Sequence, residues 1–157
     1  MLMELGIYEL DIDPERTAAF YRDTGGIDCD CPGCRNYAEA VAHMPLPGLE
    51  LLRKLGIDPA KPADISTNYA PTPDSIHYHV YYHVCGVSRA ERSPWIRIGK
   101  KHYAFDESCR IHLAADCDLY VVDNMIMALE DLPRPAIQIE MTVVLPWMLP
   151  EGNPFFY

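Results

Sequence analysis

The chain changes its hydrophobic period once, near residue 65. Met3, Leu5 and Ile7, followed by Tyr8, Leu10 and Ile12, predict one N-terminal strand that switches faces midway. Asp13-Pro14-Glu15 then reads as a helix start: an Asp N-cap, Pro at the first helical position and an acid in the first turn. Thr17, Phe20, Tyr21 and Thr24 give that helix a thin apolar stripe, and Gly25-Gly26 ends it. Cys34, Tyr37, Ala38 and Val41 repeat at helical spacing and predict a second helix, which Met44-Pro45-Leu46-Pro47-Gly48 breaks. A third, short helix over Leu49 to Leu55 places Leu51, Leu52 and Leu55 on one side. Gly56 is its expected C′ residue, with Ile57 as the apolar contact beyond. Asp58 to Pro62 is a stiff connector.

Beyond residue 65 the period is two. Ile76, Tyr78, Val80, Tyr82 and Val84 alternate with His77, His79, Tyr81 and His83. Trp95 to Ile98, His102 to Phe105, Arg110 to Ala114 and Leu119 to Val122 are shorter strands, with Gly99-Lys100-Lys101 as a turn. Ile137, Ile139, Met141, Val143 and Leu145 alternate with Gln138, Glu140, Thr142 and Val144, the pattern of a half-buried strand. Asp123 to Leu132 reads as one short helix or a loop. Strands follow strands with few helical spacers, which argues against βαβ units. The expectation is therefore an α+β fold over 1–157. Its helical part, about 13–56, packs on a mostly β part, about 65–147, that forms an antiparallel sheet or sandwich.

A chain of 157 residues fits one domain and buries enough surface to fold without staples. Its 49% hydrophobic and 23% charged residues exclude wholesale disorder. The net charge of −10 repels phosphate backbones and anionic lipid, so neither nucleic acid nor membrane is an expected partner. Met1 to Leu10 lacks a basic stretch, and Glu4 and Glu9 interrupt any apolar run, so no signal peptide is read there. No apolar run approaches membrane-spanning length. The expected location is cytoplasmic, where cysteines persist as thiols or metal ligands rather than disulfides.

That bears on Cys29-Asp30-Cys31-Pro32-Gly33-Cys34, which holds three of the six cysteines. Pro32-Gly33 supplies a turn, so one tight loop can present Cys29, Cys31 and Cys34 to a single tetrahedral zinc. A fourth ligand would come from His43, Cys85, Cys109, Cys117 or a strand histidine. Alternatively, Cys31-Pro32-Gly33-Cys34 is a redox pair before a helix. However, the preceding residues are not a strand, and Asp28 and Asp30 should raise the thiol pKa values while attracting a cation. The third reading is that the thiols simply pack as small hydrophobes.

His77, His79 and His83 share one strand face, and a His-x-His pair on a strand can hold a metal; His102 and His112 could join from neighbouring strands. Against this stands a merely solvated or aromatic-packed sheet face. No serine lies in a nucleophile-elbow motif and no glycine-rich loop cradles phosphate, so no catalytic residue is assigned and a non-enzymatic role is favoured. The carboxylates at Asp116, Asp118, Asp123, Glu130 and Asp131 read as solvated loops and caps. The apolar tail, Leu145 to Leu149 and Phe155 to Tyr157, packs back on its own sheet or forms a homodimer interface.

Cys29 to Tyr37, Leu55 to Pro62 and the last strand running into Pro146-Trp147 resemble a family of small uncharacterised bacterial proteins sharing a C-x-C-x-x-C-R-N-[YF] run. The resemblance spans most of the chain. It implies a recurrent single-domain design that includes the cysteine cluster, and it brings no activity, substrate or catalytic residue. Three functions follow: a protein with structural zinc at Cys29, Cys31 and Cys34; a metal-free interaction or homodimerisation module using the aromatic sheet face and tail; and a metalloenzyme at the strand histidines.

Overall fold

A computed structural model describes residues 1–44, 47–89, 93–122 and 129–157. The fold is α+β, with helices on a mostly antiparallel sheet, as the periods predict. Asp123 to Leu132, read as a helix or loop, lies largely outside the described residues.

The N-terminal segment is a hairpin of β1 (Leu2–Leu5) and β2 (Tyr8–Ile12) rather than one strand with a face switch. Gly6 at φ +59° occupies the first position of the two-residue turn, the position where a II′ turn takes glycine. Helix α1 (Pro14–Asp23) starts as expected: the Asp13 carboxylate accepts from the Arg16 N–H at 2.9 Å. It ends just before the glycine pair, and Thr17 and Tyr21 are buried.

Helix α2 (Pro32–His43) starts two residues ahead of Cys34, and Cys31 is its N-cap. Its buried face is Gly33, Cys34, Asn36, Tyr37, Ala40 and Val41. Ala38 points to solvent, so the face is rotated from the expected stripe to include a polar residue. Helix α3 (Pro47–Lys54) closes with a Schellman motif: the Ile57 N–H donates to the Leu52 carbonyl at 3.0 Å and the Gly56 N–H to the Arg53 carbonyl at 2.9 Å.

The main sheet is built on β4 (Ser75–Ser88) and β9 (Ala136–Pro146), paired from Ser75↔Pro146 to Cys85↔Ala136. On its other edge β4 pairs first with β3 (Asp64–Tyr69) and then with β2. Beyond β9 lie β8 (Cys117–Val122) and β7 (Ile111–Ala114), and every pairing is antiparallel. A separate hairpin joins β5 (Trp95–Arg97) and β6 (Tyr103–Phe105). Ile76, Tyr78, Val80, Tyr82 and Val84 are buried in the core with Leu49, Leu52, Tyr37 and Val41 from the helices and Leu55 just beyond α3. Helices cover this face because burying such side chains contributes about 1.5–3 kcal/mol each.

β9 alternates as a half-buried strand from Met141 to Pro146, but its first half departs from that expectation. Gln138 and Glu140, on its second face, are also buried. Their strand lies between β4 and β8, and large side chains from both flank the two residues. A buried carboxylate needs partners, and Glu140 has two: His79 Nε2 at 2.7 Å and Gln138 Nε2 at 2.8 Å. His79 in turn stacks on Tyr81 and meets Tyr120 edge-on.

Candidate metal centre

Residues 24–31 connect α1 to α2 without helix or strand, and the cysteine cluster ends this connection. Cys31 turns the chain into α2, and its sulfur accepts the Cys34 N–H at 3.4 Å. Pro32 fills the first helical position, where no N–H is required. Gly33 packs so closely on Thr67 and the Phe155 ring that a Cβ there would meet the Thr67 methyl.

The first turn of α2 is bolted to the sheet. The Tyr78 hydroxyl donates to the Gly33 carbonyl at 2.7 Å. Asn36 is fully buried; its amide donates to the Tyr78 hydroxyl and the Pro146 carbonyl, both at 3.1 Å, and its carbonyl accepts the Met148 N–H at 2.6 Å. Arg35 reaches Glu151 at 2.6 Å. Trp147 and Phe155 of the apolar tail therefore pack on the chain's own core, edge-on to each other, whereas the side chains of Met148, Phe156 and Tyr157 stay exposed.

On this base the Sγ atoms of Cys29, Cys31 and Cys34 lie within 4.8 Å of one another. A tetrahedral zinc with Zn–S near 2.3 Å sets sulfur–sulfur edges of about 3.8 Å, so a small closure would bring all three into its shell. Cys34 is buried; Cys29 and Cys31 are exposed. Burial pushes the Cys34 thiol well up, and its thiol neighbours add to the rise. At Cys31 partial burial works upward, but the Cys34 N–H, the Cys29 and Cys34 side chains and the Gly33 N–H together carry the thiol below its ordinary value. The expected rise from Asp28 and Asp30 does not describe Cys31, where helix-cap and thiol hydrogen bonds prevail. Asp30 is almost wholly solvated and lies 3.8 Å from Arg35.

The suggested fourth ligands lie elsewhere. His43 is in the last turn of α2, about 14 Å along the axis from Cys34. Cys85 is buried near the Pro133 carbonyl, Cys109 sits in the 3-10 turn Glu107–Cys109, and Cys117 opens β8. All six cysteines and all six histidines are among the described residues. Among those residues no fourth His, Cys, Asp or Glu joins the group at that spacing.

His77, His79 and His83 share the face of β4 opposite the helices, as expected, but each has a different environment. The His77 ring stacks on Tyr69 at 4.8 Å and bonds Asn68, while His79 is held by Glu140. His83 is 1% exposed, and neither ring nitrogen has a well-formed hydrogen bond, although Gln138 is its cross-strand neighbour. None of the three lines the clefts beside α1, at the N-terminal end of α1, at the cysteine cluster or between α1 and the end of α3. His112 bonds Asp118 at 2.7 Å, and His102 lies at the hairpin turn beside Gly99.

Burial pushes the His83 imidazole below its ordinary value; Gln138 opposes the shift and Arg134 adds to it. The unfolded ring binds a proton near pH ~6.5 while the folded ring stays neutral. Stability is therefore full above that pH and falls as pH drops towards the folded value, by at most about 1.4 kcal/mol per pH unit for one group. His77, also lowered by burial, adds in the same direction. Urea melts of His83→Leu are expected to show a flatter loss of stability than wild type between about pH 7 and pH 5. Parallel pH profiles would exclude His83 as a source of the loss.

Sequence patterning missed Asn36 and Glu140. Asn36 adjoins the apolar stripe of α2 but carries no local mark of burial. Glu140 alternates with apolar residues and so reads as solvent-facing. No described helix is long and apolar enough to cross a membrane. No protein-family model, curated protein or solved structure matches the chain.

Proposed function

We propose that the protein binds one zinc ion per chain through the thiolates of Cys29, Cys31 and Cys34, in a structural and non-enzymatic role. The observation that carries this reading is the mutual approach of the three sulfurs within 4.8 Å. Three thiolates select soft or borderline ions, and zinc is the one without redox chemistry. A cytoplasmic setting would keep these thiols reduced and available as ligands.

The local backbone supports a structural role. Among the described residues no backbone N–H of 25–30 donates to another backbone carbonyl, and the stretch meets α2 through Arg35, which donates to the Asp30 carbonyl at 3.4 Å. A metal held at 29, 31 and 34 ties it to a helix turn that Tyr78 and Asn36 already anchor. Structural zinc contributes directly to folding free energy.

The test is elemental mass spectrometry of protein purified without chelator or histidine tag, beside a thiol count. The expected result is close to one zinc per chain, with three thiols protected from alkylation until chelator is added. Metal-free protein with freely reacting Cys29 and Cys31 overturns the proposal.

One other reading has a specific observation behind it. An exposed Cys31 with lowered pKa beside a buried Cys34 with raised pKa is also the asymmetry of a dithiol redox pair. It predicts metal-free protein in which a mild oxidant joins Cys31 to Cys34. Interaction through the tail has less support, because Trp147, Phe155 and Glu151 are engaged within the chain and only Met148, Phe156 and Tyr157 leave large apolar side chains exposed. A metalloenzyme at the strand histidines has less support too, since Glu140 already holds His79.

A further inference from the structure

We infer that the zinc takes its fourth ligand from outside the chain: a small thiol carrying no negative charge, bound in the cleft beside the cluster. The inference rests on the zinc reading above. Three observations carry it.

Among the described residues the chain supplies three donors where tetrahedral zinc needs four, and every other cysteine and histidine is placed away from them. A zinc site with three protein ligands keeps its last position for water or an incoming molecule. Next, Cys29, Cys31 and Cys34 together line a cleft of about 390 Å³, within the range of small-molecule sites. The metal would therefore sit in the wall of a cavity with room for a ligand.

The lining sets the class of molecule. Ile27, Pro62, Ile65 and Leu129 give it apolar walls, suited to sulfur and a short carbon body. Its charged side chains other than the thiolates are Asp28 and Asp64, and no cation lines it among the described residues. Zinc with three thiolates carries a net charge of about −1, so the whole cleft is negative. Anionic ligands such as phosphates and carboxylates are repelled, whereas neutral or cationic ones are not. On binding, the thiol forms a Zn–S bond, a zinc-bound water leaves, and the thiol proton passes to solvent. No electron is transferred.

The experiment loads the protein with cobalt(II), whose visible bands report the donors around it, and titrates two thiols of opposite charge. 2-Aminoethanethiol is expected to shift and strengthen the bands with one-to-one saturation. Mercaptoacetate should need about tenfold more or worse, the cost of bringing an anion into a negative cleft. Gly26 lines the cleft, and a Cβ there meets nothing within 4 Å. Gly26→Trp should therefore bind cobalt normally and lose the response to thiol. Asp64→Asn should narrow the gap between the two thiols.

A cobalt site whose bands neither thiol moves overturns the inference and leaves the metal site standing, with a donor such as Asp28 completing the shell. Equal affinity for both thiols also overturns it, as does an unaltered response in Gly26→Trp. Failure to bind cobalt at all is a different result: it removes the underlying zinc reading.

Discussion

Serine at position 31 is expected to strip the chain of stoichiometric zinc, lowering affinity by more than the ~10–100-fold typical of changes outside the ligand shell. The substitution separates two roles of one side chain. Cys31 caps α2 by accepting the Cys34 N–H, and serine is a preferred residue at that position. The helix start should therefore survive, while a hydroxyl replaces a thiolate that zinc holds strongly. Circular dichroism should show unchanged helix beside elemental analysis showing the metal gone. Full occupancy in Cys31→Ser would sink the assignment of these thiols as ligands. A variant that loses helix as well as metal would instead mean that α2 depends on the ion.

The largest expected loss of stability comes from Gly56→Ala, far from the thiols. Gly56 holds φ +84° in the Schellman motif closing α3. A Cβ there would run into the Pro14 carbonyl and crowd the Ala18 N–H, both backbone groups of α1 that no side-chain rotation can move aside. Left-handed strain costs roughly 1–3 kcal/mol and forced overpacking a similar amount, so about 3–5 kcal/mol in total is expected. A domain of this size holds about 5–15 kcal/mol. Chemical denaturation should thus show a much lower midpoint with an unaltered slope. A loss below about 1 kcal/mol would show that α1 can back away from the turn.

That turn was fully legible in the sequence, because a Schellman motif is local: Gly56 and Ile57 follow directly on the leucine stripe of α3. The alternation of β4 was legible for the same reason, and so was the cysteine cluster, whose three donors lie within one short loop. The N-terminal hairpin was not. Its turn pairs Gly6 with Ile7, a β-branched apolar residue that continues the strand pattern instead of interrupting it. Glu140 and Gln138 misled by composition. Whether a polar face of a strand meets water depends on what lies across it, and Tyr81, His79 and Tyr120 come from other strands. The fourth ligand was illegible on similar grounds: cysteines and histidines along a sequence carry no distances. Asn36 was invisible because its value comes from partners at residues 78, 146 and 148.

The reach of Asn36 also fixes an order of events during folding. The three cysteines can meet early, since closing so short a loop takes little chain entropy. The amide that seats their helix turn must wait for contacts more than 100 residues distant along the chain. Contacts of that separation belong to the slow part of folding. Zinc offered to the unfolded chain would therefore meet a loose, weakly binding trio first. With the proposed site filled, tight, slowly exchanging metal should emerge only as β9 docks on β4 and the tail closes over α2, and metal retention would then be a clock for the last step of assembly.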